Sequence, residues 1–340
     1  MRRREFIEGT AITAALSLAK PVCAQTGARS PGIKRIAIVH TSEKPEGMTI
    51  DGRRSFKAYF EELKRLGYVE GRNLLVDRYS ALGQSEYYGD VARAVVASHP
   101  DVIISLGGPL ARRLKLLTTT IPILYSGGDP VAGGFVTNLA RPDGNITGVS
   151  VDAGLGVYNK RLQFLSDTVR NLRNVRVLIP ASAMIFWETG LAPLREAAGR
   201  VGIRIAAALL SEKLDRPAYE RVFDEMEADR VDGLMVAHQG EHLTNRQMIA
   251  DLAAKHRLPA VYPHRDFIDV GGLLSYGSDL GDAMRRLADM TDQVMKGAKP
   301  ADIPFYQQTK FELVLNRTTV KSLGLEFPVS LLTIADEVIE

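Results

Sequence analysis

Cysteine is almost absent from the sequence: the 340 residues contain only Cys23. A single cysteine close to the N-terminus forms no internal disulfide and no thiolate metal site, so folds that depend on either are excluded. The charges also nearly balance, with 43 Lys and Arg against 40 Asp and Glu, a net charge of +3. No basic stripe with interleaved aromatic residues stands out, and we therefore expect no nucleic-acid partner.

Long hydrophobic runs are missing too, since no stretch approaches the 18 apolar residues that a membrane-spanning helix needs. The N-terminus instead has the pattern of a signal peptide. Arg2–Arg4 precede a short, weakly apolar run, Gly9–Ala19, and Val22 and Ala24 are the two small residues that a signal peptidase requires. Residues 1–24 are predicted to be a twin-arginine-like signal peptide cleaved after Ala24. A soluble N-terminal helix and a membrane anchor are the alternatives.

Familiar catalytic motifs are also lacking. There is no Gly-x-Ser-x-Gly elbow and no Walker phosphate loop, and no Gly-x-Gly-x-x-Gly follows the first predicted strand. His238 and His242 have the spacing of a zinc protease, but Gln239 stands where that motif has Glu. We therefore expect no cofactor, no metal and no enzymatic activity, with an exported α/β enzyme kept as an alternative.

What the sequence does contain is a regular alternation of strands and helices, in two series. The first series predicts strands at Lys34–His40, Asn73–Tyr79, Asp101–Leu106 and Ile121–Tyr125, with helices at Arg53–Leu66, Glu86–Ser98 and Ala111–Leu117. The second predicts strands at Val175–Pro180, Ile203–Leu210, Gly233–Ala237 and Ala260–Tyr262, with helices at Leu191–Val201, Ala218–Ala228 and Asn245–His256. The Pro/Gly-rich segment Arg141–Ser150 separates them. This pattern is typical of an α/β protein with two doubly wound parallel-sheet lobes.

Ligands of such sheets bind beyond the carboxyl ends of the strands, where glycines allow close approach to backbone N–H groups. The loops there supply our candidate ligand-binding residues, which are Thr41, Ser42, Gly107, Gly108, Ser126 and Asp129 in the first lobe and Ser182 and Gln239 in the second. Simpler roles are open for four of these residues. Gly107 and Gly108 can form a tight turn before Pro109, and Asp129 and Ser182 can cap helices.

Two aromatic residues are further candidates. Trp187, the only tryptophan, lies at the entry to the first helix of the second lobe, where it can stack on a ligand or pack in the core. Tyr276 follows a strand-like segment and is positioned to reach the cleft.

Several longer stretches resemble one known family. They are Leu66–Asn73, Thr118–Leu124, Gly128–Val131, Asn138–Ser150, Arg257–Ala260, Gly271–Gly277 and Leu323–Ile339, which together run through nearly all of the chain after the predicted signal peptide. In these stretches the sequence is similar to the ABC-transporter substrate-binding proteins of the tryptophan/tyrosine-binding type.

The resemblance implies a type I periplasmic-binding fold with a hinge of about three crossings and two discontinuous lobes. Lobe 1 is expected to comprise residues 32–150 and about 277–305, and lobe 2 residues 151–276 and about 306–340. The helix from Gly281 is then expected to return to lobe 1, and a strand at Phe311–Leu315 to lobe 2.

The resemblance also implies the function, which is that of a monomeric periplasmic receptor delivering a small ligand to an ABC permease. Relatives bind aromatic amino acids, so an amino acid or a related aromatic or apolar carboxylate is the expected ligand. The loop Pro180–Trp187 departs from the family pattern, because it is more apolar than usual, and this favours a more hydrophobic solute. A ligand-sensing module for a membrane signalling partner has the same fold and stays an alternative.

Overall fold

The structure is a computed structural model that describes residues 32–151, 154–184, 186–211 and 214–340, without the side chains of Ser182 and Phe186. The predicted signal peptide lies outside the described residues. Within these ranges, no helix combines the length and the apolar character that crossing a bilayer demands.

The first sheet is parallel throughout, and its strands are numbered here in chain order. In spatial order they are β11 (Tyr306–Gln307), β5 (Ile146–Ser150), β4 (Ile123–Gly127), β3 (Val102–Leu106), β1 (Lys34–His40) and β2 (Leu74–Ser80). Its helices are α1 (Arg54–Arg65), α2 (Tyr88–Ala97), α3 (Gly108–Leu117) and α9 (Leu280–Met295).

Apolar residues cover both faces of this sheet. Successive residues of a strand point to opposite faces, and along β1 the residues Ile38 and Val39 accordingly enter different clusters. Ile38 belongs to the cluster that contains Phe56 of α1 and Leu287 of α9. Val39 belongs to the cluster that contains Val95 of α2. A continuous apolar strand is therefore buried on both sides, as a doubly wound sheet requires.

The second sheet has seven strands. In spatial order they are β13 (Glu337–Ile339), β12 (Phe311–Asn316), β10 (Leu274–Ser278), β9 (Ala260–Tyr262), β8 (Gly233–Val236), β6 (Asn174–Pro180) and β7 (Arg204–Leu210). The strands β10 and β12 pair antiparallel, and the other neighbours pair parallel. The helices of this lobe are α4 (Gly154–Thr168), α5 (Ala192–Arg200), α6 (Arg216–Ala228), α7 (Gly240–Thr244), α8 (Arg246–Lys255), α10 (Arg317–Ser322) and α11 (Val329–Ile334).

The predicted α/β architecture with two doubly wound lobes is confirmed, including its two late chain exchanges. The helix α9 returns to the first lobe, where Thr291 exchanges a buried hydrogen bond with Tyr59 of α1 over 3.0 Å. The strand β12 belongs to the second sheet, as expected. The segment Arg141–Ser150, which separates the two predicted series, also contains a strand that the sequence did not predict, because its last five residues form the fully buried strand β5 beside β4.

Three chain segments cross between the sheets side by side and form the hinge. The backbone N–H of Gln308 donates to Ser150 O over 2.8 Å, and its side-chain Nε2 donates to Asp279 O over 3.0 Å. Ser278 Oγ donates to Val151 O over 2.9 Å. Each crossing segment is thereby hydrogen-bonded to another one, so the hinge is a small ordered unit.

The exact lobe boundaries stay a prediction, and the sheets bear on them at two places. The strand β10 ends at Ser278 in the second sheet, and β11, at residues 306 and 307, pairs in the first sheet. Each position differs by one or two residues from the boundaries expected from the sequence.

Candidate functional site

A cavity of about 850 Å³ lies between the two sheets. The carboxyl ends of parallel strands meet at one edge of a sheet, and the loops that follow β1, β3 and β4 line one side of the cavity while those after β6 and β8 line the other. Both lobes therefore contribute to a single binding space.

Five of the predicted ligand-binding residues line this cavity: Thr41, Gly107, Gly108, Asp129 and Gln239. Asp129 also has the simpler role, because its Oδ1 accepts hydrogen bonds from the backbone N–H groups of the two residues after Pro130, over 2.8 and 3.2 Å. The strand-end rule thus brings these residues together, and their contact with a ligand remains a prediction.

Gly107 lets α3 begin directly against the loop after β1. Its φ of +118° suits glycine, and a Cβ there would lie 2.8 Å from Cγ2 of Thr41. A side chain at this position would push the two loops apart. The start of α3, Gly108–Pro109, lines the cavity, and its N-terminal backbone N–H groups favour an anionic ligand group there.

Among the other predicted residues that the structure describes with their side chains, Ser42, Ser126, Trp187 and Tyr276 do not line the cavity. Ser42 instead bonds to Thr244 across the cleft, with 2.8 Å between their hydroxyl oxygens. Ser126 lies in β4, where it pairs with Leu106 of β3, and the side chain of Ser182 is outside the described part of the structure.

The two predicted aromatic contacts pack within the second lobe. Trp187 is 8% exposed in the apolar cluster of that lobe, and the guanidinium of Arg195 lies 4.5 Å from its ring centre. Tyr276 packs edge-on against Phe164, with 5.2 Å between ring centres. Packing, which was the alternative for Trp187, is what the structure shows for both side chains.

The aromatic side of the cavity comes from residues that the sequence did not single out. Tyr88, Tyr125, Phe135 and Tyr158 all line it. The rings of Tyr125 and Phe135 are T-shaped, with centres 5.0 Å apart, and the Tyr125 hydroxyl donates to Gly128 O over 3.2 Å. These rings give the site a surface on which an apolar or aromatic ligand can pack.

A buried arginine from α4 also faces the cavity. Arg161 is 3% exposed, and its Nε donates to the backbone oxygen of Tyr276 over 2.7 Å. Its guanidinium lies 4.9 Å from the ring centre of Tyr158. These contacts fix a cationic group at the second-lobe side of the site.

Two histidines lie next to this arginine. His238 and His264 both line the cavity, and their rings meet edge to face with centres 4.6 Å apart. Burial, together with the charges of His238 and Arg161, holds the pKa of His264 well below its usual value, so its ring is neutral.

An acidic group of the second lobe also lines the site. Glu241, at the start of α7, lines the cavity and accepts a hydrogen bond from the Tyr88 hydroxyl over 3.3 Å. Burial raises the pKa of Glu241. Tyr88 belongs to the first lobe and Glu241 to the second, so this contact joins the lobes across the cleft.

A third contact across the cleft lies near His40, the last residue of β1. Arg53 forms an ion pair with Glu43 over 2.6 Å and lies 3.9 Å from Asp266 of the other lobe. His40 accepts the backbone N–H groups of Ser42 and Glu43 at its Nδ1. Burial and the Arg53 charge lower the pKa of His40 to about 3, which keeps that nitrogen free to accept.

Groups with the arrangement of metal ligands occur elsewhere. Within the described ranges the only such cluster is Asp224, Glu227 and His256, which does not line the cavity and in which both carboxylates are exposed. The His256 ring already pairs with these carboxylates over 2.6 and 3.6 Å. His242 is fully buried, and its Nδ1 lies 3.1 Å from Ala237 O.

Comparison with known proteins agrees with this architecture. The chain is 21% identical over 271 residues to a tyrosine-binding protein of Clostridioides difficile (strain R20291), covering 79% of this chain and 76% of that protein. Its fold is similar to that of a Streptococcus pneumonia ABC domain solved in complex with L-Trp, with a TM-score of 0.77, 22% identity, and coverage of 90% of this chain and 100% of that one. A conserved domain protein from Vibrio cholerae also has a TM-score of 0.77, with 22% identity and coverage of 90% and 99%.

The family itself follows from a match that spans most of the sequence. The family model described as ABC transporter substrate binding protein matches residues 51–339, which include every helix and strand from α1 to β13. The chain belongs to the family of ABC transporter substrate-binding proteins.

Proposed function

We propose that this protein is a periplasmic receptor that binds an amino acid, or a related aromatic or apolar carboxylate, between its lobes and delivers it to an ABC importer. The observation that carries the proposal is the 850 Å³ cavity shared by the two lobes of a chain that belongs to this family. A cavity of this size suits a small solute.

The lining supports an amphipathic ligand. Tyr125 and Phe135 offer aromatic surface on the first lobe, and Arg161, His264 and Glu241 place polar groups on the second. A ligand with a ring at one end and charged groups at the other would match both halves. The names of two similar proteins support the same class, since one is a tyrosine-binding protein and the other was solved with L-Trp.

The contacts across the cleft support a mechanism of closure. Two hydrogen bonds, Ser42 with Thr244 and Tyr88 with Glu241, form only when the lobes are close together. A ligand that touches both lobes favours that arrangement, because it binds the closed form more tightly than the open form. The permease then recognises the closed receptor.

Ligand screening tests the proposal directly. L-Trp, L-Tyr, L-Phe and indole-3-propionate are added to the purified protein in a thermal unfolding assay, and ligands that raise the melting temperature are measured by calorimetry. A ligand at 100 times its Kd adds about 2.7 kcal/mol to the free energy of unfolding. If no amino acid or aromatic acid shifts the melting temperature, the proposed ligand class is wrong.

Export is tested separately. The full chain is produced in a bacterial host that has a twin-arginine system, and the cell fractions are compared. We expect the wild type in the periplasm and a variant with both Arg3→Lys and Arg4→Lys in the cytoplasm, while Arg2→Lys serves as the matched control. Export of the double variant at the wild-type level would contradict the twin-arginine route.

A further inference from the structure

The histidine pair of the cavity has a simple structural origin. His238 lies two residues beyond the end of β8 and His264 two residues beyond the end of β9. These strands are parallel neighbours, and Met235 pairs with Val261. The same register carried forward places position 238 beside 264, so the two imidazoles meet at the carboxyl edge of the second sheet.

His264 has hydrogen-bonding capacity that the described residues leave unused. Its side chain is 3% exposed, and neither ring nitrogen has a partner in good hydrogen-bond geometry within the described part of the chain, although the backbone of Ser278 lies near enough to act on the pKa of the ring. Buried polar groups are nearly always hydrogen-bonded, because an unsatisfied one costs about 1–3 kcal/mol. Since His264 lines the cavity, a bound molecule is the partner that its position points to.

The charges around His264 determine which kind of ligand atom its ring binds most favourably. The charges that act on the ring are those of Arg161 and Arg53 together with His238, and they disfavour a second positive charge there. A neutral imidazole still carries one N–H donor. Cationic neighbours favour a negatively charged acceptor for that donor, and in a small organic acid this acceptor is a carboxylate oxygen.

We propose that His264 donates a hydrogen bond to the carboxylate of the ligand, so that this site selects free acids over the corresponding amides. The inference rests on the proposed function, which it deepens by assigning one ligand group to one residue. It also places the carboxylate at the second lobe rather than at the glycine loops of the first.

The test compares each acid with its amide. Calorimetry gives the Kd of L-Trp, L-Tyr and L-Phe and of their amides for the wild type, His264→Phe and His264→Gln. The Phe variant keeps a ring against His238 but loses the donor, and the Gln variant keeps a donor. His99→Gln, at an exposed position outside the cavity, is the matched control.

We expect the wild type to bind acids more tightly than amides. His264→Phe is expected to weaken binding of the acid roughly tenfold to hundredfold while leaving the Kd of the amide within about threefold, because hydrogen bonds to charged groups have this strength. His264→Gln is expected to regain part of the preference, and His99→Gln to behave as the wild type.

The results separate two kinds of failure. If the wild type binds the acids and His264→Phe retains the full acid-to-amide ratio, the role of His264 is contradicted and the proposed function stands. If the wild type binds none of the acids, both are contradicted. Should His264→Phe not fold, the imidazole ¹⁵N spectrum of the wild type decides: the His264 signal must move on addition of the acid, and an unmoved signal overturns the inference.

Discussion

The hydroxyl of Tyr88 and the carboxylate of Glu241 meet across the cleft, with 3.3 Å between Oη and Oε1. Burial and the neighbouring carboxylate raise the pKa of Tyr88, so the hydroxyl keeps its proton and donates it to the hydrogen bond. One partner lies at the start of α2 and the other at the start of α7. A hydrogen bond between these helices therefore reports directly on closure of the two lobes.

Replacement of Tyr88 by Phe removes this hydrogen bond and keeps the ring in the cavity lining. We expect ligand affinity to fall about threefold to tenfold, because a hydrogen bond contributes about 0.5–1.5 kcal/mol. Calorimetry measures the change. Tyr87→Phe is the matched control, since Tyr87 is 47% exposed and does not line the cavity. Equal Kd values for both variants and the wild type would show that the contact does not favour closure.

A side chain introduced at Gly240 should also affect closure of the two lobes. A Cβ at this position would lie 3.0 Å from Thr41 Oγ1 and 3.5 Å from His40 Cε1, both in the opposite lobe. Gly240→Ala should therefore favour the open form and weaken ligand binding about tenfold, with less than about 1 kcal/mol change in the free energy of unfolding. In the presence of ligand, small-angle scattering should show a larger radius of gyration for this variant than for the wild type.

Gly199→Ala is the control for that variant. Gly199 lies in α5, and a Cβ there would meet nothing within 4 Å. Alanine is the better helix former by about 1 kcal/mol, so this variant should be slightly more stable and bind ligand as the wild type does. If Gly240→Ala also binds normally, the close approach at Thr41 does not limit closure.

How much of this site could be read from the sequence depends on the element that carries each residue. Thr41, Gly107 and Gly108 were predicted because the strand-end rule needs only the strands, which the apolar runs reveal. Arg161 was missed because it stands on the buried face of α4 between apolar residues, where a charge interrupts the helical pattern. The pairing of His238 with His264 depends on which strands are neighbours, and local patterns do not contain that information.

Trp187 is the opposite case, a residue that the sequence singles out and that does not line the cavity. A lone tryptophan at a loop attracts a ligand-binding interpretation, yet its ring packs in the core of the second lobe. Trp187→Ala should lower the free energy of unfolding by about 3–5 kcal/mol, measured in urea. Trp187→Phe should lower it by less and leave the ligand Kd unchanged. A loss of affinity in a folded Trp187→Phe variant would instead make Trp187 a ligand contact.

The hinge offers a matched pair of glutamines. Gln308 is 2% exposed and hydrogen-bonds to two other crossing segments, whereas Gln307 beside it is exposed. Gln308→Ala should lower the free energy of unfolding by about 2–3 kcal/mol, since it leaves buried backbone groups without partners, and Gln307→Ala by less than about 0.5 kcal/mol. Urea titration measures both, and similar values would contradict the structural role of Gln308.

The free energy of unfolding should depend on pH because of the ionisation of Glu312. Burial, with a smaller contribution from the Asp279 charge, raises its pKa from the ordinary 4.5 to about 7, against the opposing charges of Arg265 and Arg54. The folded protein therefore holds this proton more tightly than the unfolded chain does. The resulting stability is present below about pH 4.5 and is lost as the pH rises through 7.

Glu312→Gln removes that dependence, because glutamine does not ionise. We expect the variant to gain about 1–2 kcal/mol relative to the wild type at pH 8, after allowance for solvent screening of this partly exposed group, and to gain little at pH 5. Urea unfolding at a series of pH values measures the difference. The control is Glu326→Gln at an exposed position, which should leave the pH profile of stability unchanged. Asp336 is not suitable as a control, because its carboxylate accepts a hydrogen bond from the backbone N–H of Leu313. A constant difference between the wild type and Glu312→Gln from pH 5 to 8 would show that Glu312 ionises normally in the folded protein.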